Sequence, residues 1–174
     1  MNNERKPQQL PHSLEQVTTF VREIALKEDG LDAFLIVDGA QRSVGIVLDD
    51  LAENPGESAD KMLAVGAQLA RRQDVGTLEQ LFFVCQARMS LAPLGQSLEI
   101  PPSVDSIARD VMVIANLTVA DDQLRTIILE MIRDPAGRLV ELQTFGDGDR
   151  DHTAASLLLI ALADGYTAAS DQPL

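Results

Sequence analysis

Helical spacing comes first along the chain. Ser13 stands as an N-cap with Gln16 in capping-box position. Leu14, Val17, Phe20, Val21 and Ile24 follow at intervals of three and four, and Gly30 is placed to end the helix. The spacing predicts a helix over residues 13–28. Two short apolar runs come next, Ala33–Val37 and Ser43–Leu48, separated by the turn signal Asp38-Gly39. They predict a β-hairpin. Residues 49–58, with Pro55 and Gly56, read as a loop. A second helix over 58–73 carries Met62, Leu63, Val65, Leu69 and Ala70, with Arg71-Arg72 suited to its C-terminal end.

Leu78–Met89 predicts a third strand around Cys85. Residues 91–104 hold Pro93, Gly95, Pro101 and Pro102, which makes them an irregular loop or crossover. Three strands then alternate with short turns: Arg109–Val119, Gln123–Arg133 and Arg138–Phe145, with Asp121-Asp122 and residues 134–137 between them. Turns this short join antiparallel neighbours. A third helix over 152–164 is expected to end at Gly165. Residues 1–12 and 167–174 read as tails around a single domain of 13–166. The expected fold class is α+β: helices packed on a mostly antiparallel sheet of about six strands, in the order α-β-β-α-β-β-β-α.

The meander also predicts the sheet faces. With a two-residue turn at Asp121-Asp122, Ala120 opposes Gln123 and paired residue numbers sum to 243. Val111, Val113, Ala115, Leu117, Val119, Leu124, Thr126, Ile128 and Ile132 then share one face. Met112, Ile114, Asn116, Ile127, Leu129 and Met131 share the other. Both faces are apolar, whereas a sheet with one wet face alternates. Two covers are needed, from three helices or from a second subunit. The third helix is apolar nearly all round over Leu157–Leu162, which adds to the expectation of a homodimer. The same register with a four-residue turn at 134–137 sets Glu130 opposite Glu141. That like-charge contact signals a bulge, a wet sheet end, or a functional carboxylate pair.

Charge and composition narrow the partners. The 174 residues carry 27 acids against 14 bases, a formal net charge of −13, with 3% aromatic residues. Phosphate binding needs a cationic face, so nucleic acid and anionic membranes are not expected partners. Val111–Val119 and Ala154–Ala163 are about half the roughly 20 residues that a spanning helix needs. Met1–Leu10 is polar and has no apolar core like that of a signal peptide, so a cytoplasmic location is expected. One cysteine excludes an intrachain disulfide and four-cysteine zinc sites, and His12 and His152 lie far apart.

Candidate chemistry is sparse. Asp147, Asp149 and Asp151 alternate in an acidic loop, the spacing with which carboxylates wrap a hard cation. The sixth position of a calcium loop, which needs Gly, is His152, and the twelfth, which needs Glu, is Leu158. The competing reading is a solvated loop with Asp151 capping the last helix. Asp49, Asp50, Glu53 and Glu57 form a second acidic group, read as surface. Cys85, mid-strand, reads as a small core residue, since a nucleophile needs a base or a helix N-terminus beside it. Phosphate-loop, dinucleotide, nucleophile-elbow and zinc-protease motifs are absent. No catalytic residue and no cofactor is assigned.

Element order is similar to that of roadblock/longin-like and profilin-like scaffolds, which implies an interaction platform. Residues 81–89 (Leu-Phe-Phe-Val-Cys-Gln-Ala-Arg-Met), then Pro102-Ser103-Val104-Asp105 and Asp110-Val111-Met112-Val113, resemble a group of small uncharacterised bacterial and phage α+β proteins. In that group a strand ending in a Glu-Ala-Trp-Met-like run precedes a Pro-Ser-Glu-Asp-Pro turn. Here Gln86 replaces the acid, Arg88 the Trp and Ser106 the second Pro. The likeness covers about 30 residues and implies no activity, so fold analogy adds nothing to function. The sequence thus leads to a non-enzymatic oligomerisation or protein-interaction module. The alternative is an enzyme or small-ligand or metal-binding protein, with a site near loop 91–104 and the acids at 147–151.

Overall fold

The computed structural model describes residues 10–48, 55–90, 108–148 and 154–171. Helix α1 (Leu14–Glu28) precedes the hairpin β1 (Phe34–Gly39) and β2 (Ser43–Val47). Helix α2 (Pro55–Arg72) follows, then β3 (Leu78–Met89), β4 (Arg109–Thr118), β5 (Gln123–Arg133), β6 (Leu139–Gly148) and α3 (Ala154–Ser170). The expected α+β class is what the chain forms, with all six strands in one antiparallel sheet ordered β2-β1-β3-β4-β5-β6. Four of these strands come after α2.

Both sheet faces are covered by the chain's own helices. On one face Val17, Val21 and Ala25 of α1 pack over Ile36, Phe82, Val84, Met112, Ile114, Leu129 and Leu142. On the other, α2 and α3 bring Met62, Leu69, Leu158, Leu159 and Leu162 against Leu35, Val37, Leu81, Phe83, Ala115 and Leu117. Most of the apolar content of the two sheet faces is thereby housed within one chain, while Leu63 of α2 and Leu157 of α3 stay exposed.

Several local expectations change. Gly165 does not end the last helix, which continues to Ser170. A Cβ at Gly165 would lie 2.0 Å from the Leu63 carbonyl oxygen, and one at Gly66 would lie 2.1 Å from that of Leu162. The two glycines let α2 and α3 touch backbone to backbone. Here glycine serves close approach rather than termination. Residues 167–170, read as tail, therefore belong to α3. Pro55 opens α2 where a loop was expected to run to 58. Proline suits a first helical turn, whose N–H groups have no intrahelical partner. Asp38 and Gly39 belong to β1, and the hairpin turns at 40–42.

The meander register shifts without exchanging faces. Val119–Asp121 forms a short 3-10 turn closed by Asp122 in the left-handed region (φ 50°). Thr118, not Ala120, therefore opposes Gln123, and pairs sum to 241. A shift of two preserves alternation, so the predicted face sets stand. Between β5 and β6 the register breaks at Ile128/Leu129 and at Ile132/Arg133. Glu130 consequently faces Gln143, and Glu141 faces Ile132. The expected Glu130–Glu141 opposition is not formed, and Arg109 Nη1 instead meets both Glu130 carboxylate oxygens at 3.0 and 2.9 Å.

Helix α1 begins as expected, with Ser13 Oγ accepting the Gln16 N–H at 3.2 Å. It ends one residue before Gly30, at Asp29 in the left-handed region (φ 62°). The Asp29 carboxylate accepts the Leu139 N–H at 2.6 Å and Arg133 Nη1 at 3.0 Å. Arg22, one face round, donates to the Leu142 carbonyl and to Thr144 Oγ1. Helix α1 is thus fastened to the β6 edge of the sheet by side chains of both signs.

Two outcomes are expected from this packing. Gly165→Ala forces the helices apart and costs about 1–3 kcal/mol, the range of overpacked cores, in urea unfolding. The backbone bond from Leu139 and the Arg133 charge hold Asp29 below its ordinary 3.8. A depressed carboxylate contributes stability above its unfolded value and loses it as pH falls through the folded one. Wild type should therefore lose more stability than Asp29→Asn between about pH 5 and pH 2, read by thermal unfolding across that window.

Candidate functional site

Helix α1 lies towards β6 and leaves part of its sheet face open on the β1–β2 side. The opening is a groove of about 380 Å³ lined by Leu10, Phe20, Ile24, Leu31, Phe34 and Val47, with Ile36 and Gly45 in its floor and Asp32 at its rim. The helical period creates it. Val17, Val21 and Ala25 face the sheet, while Phe20 and Ile24, one step round, border the gap and are half-buried. Phe20 and Phe34 meet edge-to-face, 6.1 Å between ring centres and 79° between planes, which fixes one wall. Val47 is 63% exposed, the most exposed large apolar side chain among the described residues.

The groove ends at the outer edge of the sheet. The Leu48 N–H bonds the Ala33 carbonyl at 2.8 Å, and the Gly39 N–H bonds that of Arg42 at 3.3 Å. In an antiparallel ladder bonded pairs recur every second residue. Leu35↔Ile46 and Val37↔Val44 are therefore the pairs that exchange bonds within the hairpin. The N–H and C=O groups of Ser43, Gly45 and Val47 consequently point away from β1. Among the described residues nothing bonds these outward groups. The same three residues direct their side chains to the α1 face, the groove side.

A polar cluster lies at the turn end of the same hairpin. Asp38 accepts Ser43 Oγ at one carboxylate oxygen and lies 3.2 Å from His12 Nδ1 at the other. Ser43 Oγ is 3.4 Å from that same Nδ1. Serine, histidine and aspartate are together, but the geometry is not that of a hydrolytic triad. There the imidazole stands between the acid and the serine and uses a different nitrogen for each. Here the carboxylate accepts the serine O–H hydrogen bond directly, and one ring nitrogen meets both partners. The contact fastens residues 10–12, read in sequence as tail, to the hairpin, and Leu10 reaches over Gly45.

The residues singled out from sequence are dispersed. Asp147 lies in β6, its backbone paired with Ile127, while Asp149 and Asp151 lie outside the described residues. Loop 91–104 and the acids Asp49, Asp50 and Glu53 also lie outside them. Among the described residues no group of three or more His, Cys, Asp or Glu could hold a metal ion. Cys85 packs at the edge of the core formed with α2 and α3, and burial pushes its thiol up to about 11. A protonated thiol is a poor nucleophile near neutral pH. A second depression of about 480 Å³ lies between the C-terminal ends of α2 and α3. Its Tyr166 hydroxyl is committed to the Gly76 carbonyl at 2.5 Å. Burial and nearby Asp74 raise that phenol above its usual value.

The groove escaped the sequence reading because its walls carry the same residue types as the core. Phe20, Ile24, Leu31 and Phe34 fit a buried pattern, and only the sheet order shows that β2 is an edge. No described helix is long and apolar enough to cross a membrane. Comparison with protein-family models, curated proteins and solved structures gives no match to this chain.

Proposed function

We propose that this chain is a non-enzymatic oligomerisation or protein-interaction module of the cytoplasm. One observation carries the reading: an apolar groove, roofed on one side by α1, opens onto a sheet edge whose outward backbone groups no described residue bonds. Interaction sites join exposed apolar surface to a polar rim. The groove has that arrangement, with Asp32 beside Phe20, Ile24, Leu31 and Val47, and with the Asp38–His12–Ser43 cluster further along the same hairpin. Catalysis would call for an activated nucleophile or converging titratable groups. Among the described residues, burial keeps the Cys85 thiol protonated near neutral pH, and the Ser43 cluster lacks the geometry of a triad.

A photo-reactive phenylalanine analogue tests this reading. Placed at Val47 it should cross-link to a discrete partner in the source cell. The same analogue at Val140, an exposed site on the opposite edge strand, should give far less of that product. Equal adducts at both positions, or none at Val47, would count against a partner at the groove.

A homodimer is the second reading, favoured by a different surface. Leu63 of α2 and Leu157 of α3 are 48% and 53% exposed on the outer helical layer. Light scattering should then give about 38 kDa, twice the 18.8 kDa chain, and Leu157→Lys should halve it. A mass of one chain removes this reading.

A further inference from the structure

We propose that the β2 edge and its groove take an extended segment of a partner protein as a seventh strand, a segment apolar at alternate positions and flanked by Lys or Arg. This rests on the interaction-module reading and adds to it the site and the chemistry of the ligand.

The backbone supplies the first half of the recognition. Ser43, Gly45 and Val47 offer three N–H donors and three C=O acceptors in one row. An incoming strand would satisfy all of them and extend the sheet, the recognition mode known as β-augmentation. Residues paired with Ser43, Gly45 and Val47 would set their side chains on the α1 face. There Phe20, Ile24, Leu31 and Phe34 stand ready as an apolar bed. Gly45 has no side chain, so nothing of its own stands between the edge and the groove. A Cβ there would only reach ordinary contact with Leu10, 3.5 Å away.

Charge decides between a foreign segment and a second copy. Asp32 lines the groove and Glu23 stands beside Ile24, both exposed and without an ion-pair partner among the described residues. Among the described residues, Lys27 of α1 pairs with Glu28 at 3.1 Å and Arg42, beside Ser43, pairs with Asp74 at 2.9 Å. The whole chain carries −13. Two copies joined edge to edge would bring these acids together, whereas Lys or Arg on a partner would meet them. Such complementarity selects partners and speeds their encounter.

The probe is a fluorescein-labelled decapeptide, Lys-Lys-Thr-Val-Ser-Leu-Thr-Ile-Lys-Lys, followed by fluorescence anisotropy with the full chain. Two controls accompany it. One has the same composition with Val, Leu and Ile made contiguous, and the other has Glu in place of each Lys. The alternating basic peptide should bind about tenfold more tightly than either control. On binding, amide exchange should slow at Ser43, Gly45 and Val47. Gly45→Pro removes the central donor at a position where an edge strand tolerates proline, and should weaken binding about tenfold. Asp32→Lys, an exposed change, should weaken the basic peptide and favour the acidic one, which keeps the test decisive if the proline variant fails to fold. Equal binding of all three peptides, or unchanged exchange at the three amides, overturns the proposal. So does a dimer that Gly45→Pro converts to monomer, since the edge would then be self-paired. Loss of peptide binding with cross-linking at Val47 intact would sink strand addition alone. Loss of both would sink the module reading beneath it.

Discussion

The central strands bury large side chains on both of their faces. Phe82 and Phe83, adjacent in β3, point to opposite sides of the sheet, and both are at most 1% exposed. Truncating either to alanine would cost about 3–5 kcal/mol, a large share of a domain's stability. A sheet built this way cannot stand with one face in water, so the helices must be divided between the two sides. Two helices take one face, where Gly66 and Gly165 press their backbones together. One helix takes the other. Three helices cannot cover six strands evenly, and the shortfall falls on the β1–β2 side, where α1 covers part of β1 and leaves the face of β2 open. The groove is the remainder of that division.

Helix α1 takes its position from polar groups at least as much as from apolar ones. Its buried stripe of Val17, Val21 and Ala25 is narrow and offers few large side chains. Arg22 and Asp29 hold it towards β6 through backbone groups of that strand. Asp29 serves two purposes: its left-handed backbone ends the helix, and its carboxylate accepts the first N–H of β6. The placement of the open surface thus depends on two charged residues far from it.

Much of this was legible in the sequence. The third and fifth strands agree with their observed bounds, because long β-branched and aromatic runs between turn residues have few other readings. The face sets of β4 and β5 survived a wrong turn length, since a shift of two keeps side chains on their side. Gly165 misled because a glycine that permits helix contact looks, in one dimension, like one that ends a helix. The bulges flanking Leu129–Ile132 leave no local mark, and so Glu130 met Arg109 and Gln143 instead of Glu141. The acids at 147–151 drew notice through their spacing alone. The groove residues drew none, because exposure at an edge depends on strand order, which a chain pattern does not encode.

The two ends of the sheet differ in kind. At β6 the Leu139 N–H and the Leu142 carbonyl are engaged by α1 side chains, while at β2 no described residue bonds the outward groups. If both edges were equally open, β2 of one molecule could join β6 of the next, and repetition of that contact would build a filament without end. On the proposed mode of binding, Arg22 and Asp29 would set the stoichiometry: their side chains stand where a strand would add to β6, which leaves β2 for the partner.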